Sequence, residues 1–404
     1  MTMRDEAAVV GIGATPYWKR GQSVPETPLS MACTAILAAL DDAGLTVRDL
    51  DGFAIYSHAV DPAQVASVLG VPEVRFASSL TSGGGGSAGS LGLAAAAIHG
   101  GMAEVCVTLM TLQQAARRLG GSSVGGQSMY AGGGGGANPY GAGGLPPSAA
   151  FFVSSGMVSP GHSFSILTRR HMHLYGTKRE HMAEVAISQR NYAMTRPTAL
   201  HRAPLTLDAY FDARIISEPM CLFDYTVESD GAVAAVITSA ERARDLRQPP
   251  VYIMGSAHGG MGRWGTAIFG YFQQPDEYFA SSGHRPVAQR MYEMAGVTPD
   301  DVDVALLYDH FSPMVLMQLE DYGFCGIGES GPFVAEGNLR IGGRMPTNTH
   351  GGHLSEAYII GMTHVREAVE QLRGVAVNQV PNAEIALVTG GPASLPVSGT
   401  LLRR

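Results

Sequence analysis

The segment AGLTVRDLDGFAIYS from Ala43 recurs as AGVTPDDVDVALLYD from Ala295, and each copy places a tyrosine at the end of a hydrophobic run. Ala43/Ala295, Gly44/Gly296, Thr46/Thr298, Asp49/Asp301, Asp51/Asp303 and Tyr56/Tyr308 coincide, and most remaining pairs are apolar on apolar. Each copy reads as a helix stopped by glycine, a short acidic turn and a buried strand. Such a repeat implies an old duplication into two related α/β halves. Duplicated halves of this kind place their chemistry at the seam, where equivalent strand ends meet.

A chain of 404 residues holds two such halves. Apolar residues make up 45% and charged residues 15%, so much surface is suited to burial against another subunit, and an oligomer is expected. The net charge of −8 and the lack of a Lys/Arg run exclude a nucleic-acid binder. MTMRDEAAVVGIGATPYW has no charged leader followed by a long apolar core, and no stretch approaches the roughly 20 apolar residues that span a bilayer. A cytoplasmic protein without membrane association is expected. Cys33, Cys106, Cys221 and Cys325 are scattered with no CxxC spacing, and read as reduced, buried fillers.

AVVGIGA from Ala8 reads as a strand, PLSMACTAILAALDDAG as a helix closed by Gly44, and FAIYS as a strand. GSAGSLGLAAAAIHGG reads as a helix from about Gly86, so rich in small residues that it suits a central position packed on all sides. VCVTLM from Cys106 follows as an apolar strand, expected to form the dimer edge. From Thr111 to Pro147 the chain is dominated by Gly, Ser and Pro, which fits either a surface insertion or a lid over a substrate mouth. Later segments alternate in the same way, with LSEAYIIGMTHVREAVEQLRG read as one long helix and IALVTGG and SGTLL as the last strands. The expected division is residues 1–245, with a loop insertion over about 111–215, and residues 246–404. The fold class is layered α/β, with duplicated β-α-β-α-β halves.

GGGGSAG at Gly83, YDHFSP at Tyr308, NTHGGHLSEAY at Asn348 and VTGGPAS at Val388 resemble, in order, the four active-site loops of the thiolase superfamily. LLYDHFSPMVLMQLEDYGFCGIGE and NTHGGHLSEAYIIGM are most similar to the lipid-transfer-protein-type aldolases of bacterial steroid side-chain degradation. The resemblance implies a five-layered α-β-α-β-α architecture. It also exposes departures. A thiolase carries its nucleophilic cysteine at the start of the central small-residue helix, where this chain has Gly86, and its second cysteine falls at Thr389. Tyr308 and Tyr358 stand where thiolases use Asn or His.

A scaffold without a nucleophile still offers main-chain N–H groups to a thioester oxygen, here at Gly86 and Gly391. Retro-aldol cleavage needs that, one group to take a β-hydroxyl proton and one to protonate the enolate. Tyr308 and Tyr358 are the catalytic candidates, with the assignment of acid and base left open. Asp309, His310 and His350 are expected near the substrate, with Asp309 and His310 able to tune Tyr308; His310 fits equally a core position. The resemblance further implies a steroid CoA ester as substrate, a ring ketone and propionyl-CoA as products, no cofactor beyond the substrate's CoA, and a homodimer core joined to a small OB-fold partner.

Other residues read as structural. Tyr56 is expected in the core with its hydroxyl on a backbone carbonyl. Asp230 reads as a cap or turn, Ser355 as a helix start, and Glu356 as facing away from Tyr358. His350 and His353 share an HGGH spacing with no third ligand apparent, so no metal is expected. Two rivals to the aldolase reading remain: an acyltransferase or thiolase using Cys325, and a non-catalytic sterol carrier or scaffold subunit.

Overall fold

The computed structural model describes residues 3–57, 59–80, 84–115, 154–157, 159–260, 279–391, 393 and 396–404. Most of the glycine-rich stretch, from residue 116 on, lies outside them. The first half contributes β1 (Ala7–Ala14), β2 (Trp18–Lys19), β3 (Gly52–Tyr56), β4 (Phe76–Leu80) and β5 (Val105–Leu112). After a separate hairpin of β6 (Ile215–Ser217) and β7 (Met220–Cys221), it adds β8 (Ser229–Ser239). The second half contributes β9 (Val251–Gly259), β10 (Val304–Leu306), β11 (Ile385–Gly390) and β12 (Val397–Arg403).

The strands run β4-β3-β5-β8-β1 in the first half and β10-β11-β12-β9 in the second, joined where β1 meets β9. β3 is parallel to β5 as β10 is to β11, and the next two strands are antiparallel in both halves. The order is therefore the same twice. The counterpart of β4 is reduced to one parallel bridge, Ala305 to Thr347, just before the NTHGGH segment.

The repeated residues explain the repeated geometry. Gly44 and Gly296 close their helices in the left-handed conformation that glycine adopts without strain. Asp49 and Asp301 accept the Thr46 and Thr298 N–H at 2.9 and 2.7 Å. One turn later, Asp51 accepts the N–H of Glu104 and Val105, and Asp303 those of Glu384 and Ile385, so each aspartate ties its strand to the neighbour.

Strand alternation sorts the core into layers. Val10, Val107 and Val236 face the helix Pro28–Ala43, whereas Val9, Cys106 and Ile237 face the central helix Gly86–His99. Val304, Val388 and Leu402 share that central core with the helix Met362–Arg373, and Leu387 and Leu401 turn outward to the helix Arg285–Ala295. Helix, sheet, helices, sheet, helix is the resulting sequence of layers.

Two expectations change. β5 is no edge: β8 pairs it along its length and β3 at Cys106 and Val107, leaving β4 at the margin. LSEAYIIGMTHVREAVEQLRG is not one helix either. A single turn, Gly352–Ser355, is separated from Met362–Arg373 by a segment with Ile360 at φ 43° and Gly361 at φ 87°. Ser355 accordingly ends a turn instead of starting a helix, and its hydroxyl accepts from Arg190 Nε at 2.8 Å.

Candidate active site

Tyr308 follows β10, and Tyr358 lies in the non-helical segment after the turn Gly352–Ser355. Their hydroxyls are 2.7 Å apart, and both side chains are buried in the central core. Backbone contacts fix each ring. The Tyr308 N–H donates to Thr389 Oγ1 at 2.7 Å, and Gln318 Nε2 donates to the Tyr308 carbonyl at 2.8 Å. Thr389 Oγ1 in turn donates to Gln318 Oε1 at 2.6 Å, so Thr389 and Gln318 together anchor Tyr308. Ser229 Oγ accepts the Tyr358 N–H at 2.8 Å and donates to its carbonyl at 3.1 Å, pinning Tyr358 to the start of β8.

Asp309 links the two tyrosine segments. Its Oδ2 accepts the N–H of His353 and Leu354, and its Oδ1 is 3.0 Å from both His353 Nδ1 and His364 Nε2. Burial opposes ionisation, but the His353 and His364 imidazoles outweigh it and hold the carboxyl well below the usual range. His353 Nε2 accepts the Gly361 N–H at 3.1 Å, which leaves the proton on Nδ1, facing Asp309. Its ring packs edge-on against Tyr308 and Tyr358, with centroids 5.0 and 4.9 Å away. His353, left outside the expected site, is thus its central support.

Asp309, His353 and His364 also form a group whose possible metal-ligating atoms lie within 4.8 Å of one another. The HGGH spacing sets His353 beside His350 in sequence, but the group comprises Asp309 and His364 with His353, and His350 is outside it. His353 Nδ1 carries its proton, and His364 Nε2 donates to the Leu307 carbonyl at 2.8 Å, so both nitrogens act as N–H groups here. A cation would have to displace both hydrogens.

His310 is wedged among aromatic rings, 4.5 Å from Phe164, 4.9 Å from Phe311 and 5.2 Å from Tyr308. Among the described residues no well-formed hydrogen bond reaches either ring nitrogen. Burial, followed by the charge of His353, pushes its pKa down to about 3, so the imidazole is neutral. His350 is also fully buried. It packs edge-on against His364 at 4.8 Å, with Nε2 3.8 Å from Glu356 Oε2, behind the Asp309 cluster. Glu356 itself faces Arg196 Nε at 2.8 Å and Thr198 Oγ1 at 2.6 Å, away from Tyr358. Asp230 is within β8 and accepts from Gly21, Ser23 and Gln114, which makes it a buried tie between loops.

The glycine loops meet beside this cluster. A Cβ at Gly391, whose φ is 106°, would lie 3.0 Å from Gly85 Cα, and one at Gly390 would lie 2.7 Å from Ser87 Oγ. Only bare backbone allows that approach. The Tyr56 hydroxyl oxygen accepts the Gly84 N–H, and its ring lies against Gly86.

The thiols offer no substitute nucleophile. Cys33 is raised by burial; Cys106 and Cys221 rise to about 12 and about 11, by burial first and then by Asp51 and Asp224. Cys325 is only partly buried, and burial, then Glu320 and Glu329, push its thiol to about 12, the reverse of what activates a cysteine.

A duplicated fold of this kind, with helices between and outside two layers of strands, is the architecture of the thiolase fold. Residues 270–401 match the thiolase C-terminal domain-like family. A steroid side-chain-cleaving aldolase of Thermomonospora curvata is 38% identical, covering 98% of this chain and 97% of the relative. A 17-hydroxy-3-oxo-4-pregnene-20-carboxyl-CoA lyase of Mycobacterium tuberculosis is 37% identical over 98% and 99%. The solved Ltp2-ChsH2(DUF35) aldolase superposes with a TM-score of 0.86 at 36% identity, covering 100% of this chain and 99% of that one. The chain belongs to the thiolase-like steroid side-chain-cleaving aldolases, a family of carbon–carbon lyases. Among the described residues no helix is long and apolar enough to cross a membrane.

Proposed function

We propose that this chain cleaves a steroid CoA ester whose ring carbon carries both a hydroxyl and the side chain, releasing a ring ketone and propionyl-CoA. The pair of tyrosine hydroxyls 2.7 Å apart carries the reading. One tyrosine oxygen takes the substrate hydroxyl proton, the oxygen's electrons form the ring carbonyl, and the side-chain carbon–carbon bond breaks. Its electrons pass into the thioester enolate, whose α-carbon the other tyrosine protonates. An isolated phenol, with a reference pKa of about 10, is a reluctant base; a second hydroxyl at hydrogen-bonding distance stabilises the phenolate as it forms. Backbone N–H groups at Gly86 and Gly391 receive the enolate oxygen, a contribution on the order of a hundred- to a thousandfold in rate. His310, neutral and beside Tyr308, with no well-formed hydrogen bond among the described residues, is a polar group suited to bind substrate.

Asp309 and His353 hold the tyrosine segments in place, while His350 supports the layer behind them. No cofactor beyond the substrate's CoA is needed for this balance of atoms. The working assembly is a cytoplasmic homodimer joined to a small OB-fold partner, and the halves 1–245 and 246–404 are its two structural units.

The purified chain, with and without its partner, is to be incubated with a panel of β-hydroxyacyl-CoA esters and the products weighed by mass spectrometry. A ring ketone plus propionyl-CoA from the steroid ester is expected. Ligand binding without turnover in the complex would identify a carrier or scaffold instead.

A further inference from the structure

Tyr56 occupies in the first half the position that Tyr308 occupies in the second, and both rings enter the same central core. It is fully buried at the end of β3. A Cβ built on Gly86 would fall within the Tyr56 ring, nearest Cδ2 and Cγ. The Tyr56 hydroxyl meanwhile takes the N–H of Gly84, at the approach to the central helix. Gly390 and Gly391 also press against Gly84, Gly85 and Ser87, so closely that a Cβ at either would lie 3.0 Å or less from them. The backbone of Gly84–Gly86 is thus held by both a tyrosine and a second glycine loop.

We propose that Tyr56 is a positioning residue for the thioester-oxygen site, and that its ring is what bars a nucleophilic side chain from position 86. The two roles follow from one placement. The hydroxyl orients the strand-to-helix backbone whose amides meet the substrate oxygen, while the ring fills the space a side chain would need. The kinetic half rests on the aldol-cleavage reading above; the steric half stands without it.

Tyr56→Phe keeps the ring and removes the acceptor of the Gly84 N–H. Assayed on the steroid CoA ester with the partner present, kcat is expected to fall about ten- to a hundredfold with KM within twofold, by the scale of oxyanion-site losses. A role in packing alone would lower the melting temperature and spare kcat; parental kcat therefore overturns the positioning role. The steric half is read by melting temperature. Gly86→Ala should destabilise the parent but leave a Tyr56→Ala variant unchanged or more stable, because the new methyl enters vacated space. Tyr56→Leu replaces Tyr56→Ala should the latter not fold. Equal losses in both backgrounds would overturn the pairing. Absence of any cleavage by the parent would defeat the proposed reaction, while the melting comparison still decides whether Tyr56 and Gly86 act as one unit.

Discussion

Tyr308→Phe and Tyr358→Phe each remove one oxygen from a 2.7 Å hydroxyl pair and almost no volume. Turnover should fall roughly a hundredfold or more in either variant, since each loses a proton-transferring group, with stability reduced by about 1 kcal/mol for the hydroxyl left behind. Steady-state kinetics beside thermal melts would show this, and near-parental rates in both would make the tyrosines structural. Gly86→Cys is a second residue-scale case. Its Cβ collides with the Tyr56 ring, and no histidine stands at Tyr308 or Tyr358 to generate a thiolate, so impaired cleavage and no acyl adduct by intact-protein mass are expected. An acylated residue 86 with undiminished thiolytic activity would show dormant thiolase chemistry. The tyrosine pair was legible only through family resemblance, because nothing local in YDHFSP or LSEAY says that two loops 50 residues apart meet. Tyr56 had the better local signal, its alignment with Tyr308, but nothing local announced that its oxygen would take the Gly84 N–H. His353 was hidden by its spacing to His350, which suggested a pair where the structure instead sets His353 against Asp309 and His364.

Elements built from local rules were read well from sequence, and those set by distant partners were not. The repeated cap residues and strand-tying aspartates act within a few residues or between neighbouring strands, so the duplicated order could be anticipated from Thr46, Asp49, Asp51 and their counterparts. The break inside LSEAYIIGMTHVREAVEQLRG could not. Asp309 takes the N–H groups of His353 and Leu354, and His353 Nε2 that of Gly361, so this segment follows a partner far away in sequence despite its helical periodicity. Strand β5 was misjudged for a similar reason: an apolar strand fits either an edge or a sheet interior, and its neighbours decide. The margin belongs to β4, FASSL, which carries no charge and exposes Ala77 and Ser79. An uncharged edge of this kind, left unpaired among the described residues, is a template for pairing with a second copy. Ala77→Lys or Ser79→Lys should therefore shift the protein toward monomer in light scattering, whereas the same substitution at an exposed helical residue such as Leu37 should not. A dimer that persists in both β4 variants would place the subunit contact elsewhere.

Over the whole molecule, several imidazoles are buried neutral, and their combined effect on acid stability exceeds that of any single contact. His310 is held at about 3, and His353 and His284 at about 4, each chiefly by burial; His350 is held well below its ordinary value, by burial and then by His364 and Arg196. For a histidine whose folded pKa is depressed, the unfolded chain binds the proton first as pH falls below about 6.5. Stability is complete above that value and is lost on acidification toward the folded pKa. Each group contributes about 1.4 kcal/mol per pH unit inside its window, so four acting together approach roughly 5 kcal/mol per unit. Glu367 acts in the opposite sense. Burial raises its carboxyl to about 7, and between its unfolded and folded values stability rises as pH falls. Burial raises the Asp224 carboxyl in the same direction, and two carboxyls offset only part of four imidazoles. Asp309, depressed below the ordinary carboxylate range, keeps its contribution until still lower pH. Because a domain's net stability is about 5–15 kcal/mol, the balance predicts a falling melting temperature below pH 6.5 and acid unfolding between about pH 4 and 6. Thermal melts at half-unit steps from pH 8 to pH 4.5 test this directly. A melting temperature that stays level down to pH 5 would mean that these imidazoles are solvated or already charged in the folded protein, and their burial in the neutral form would have to be abandoned.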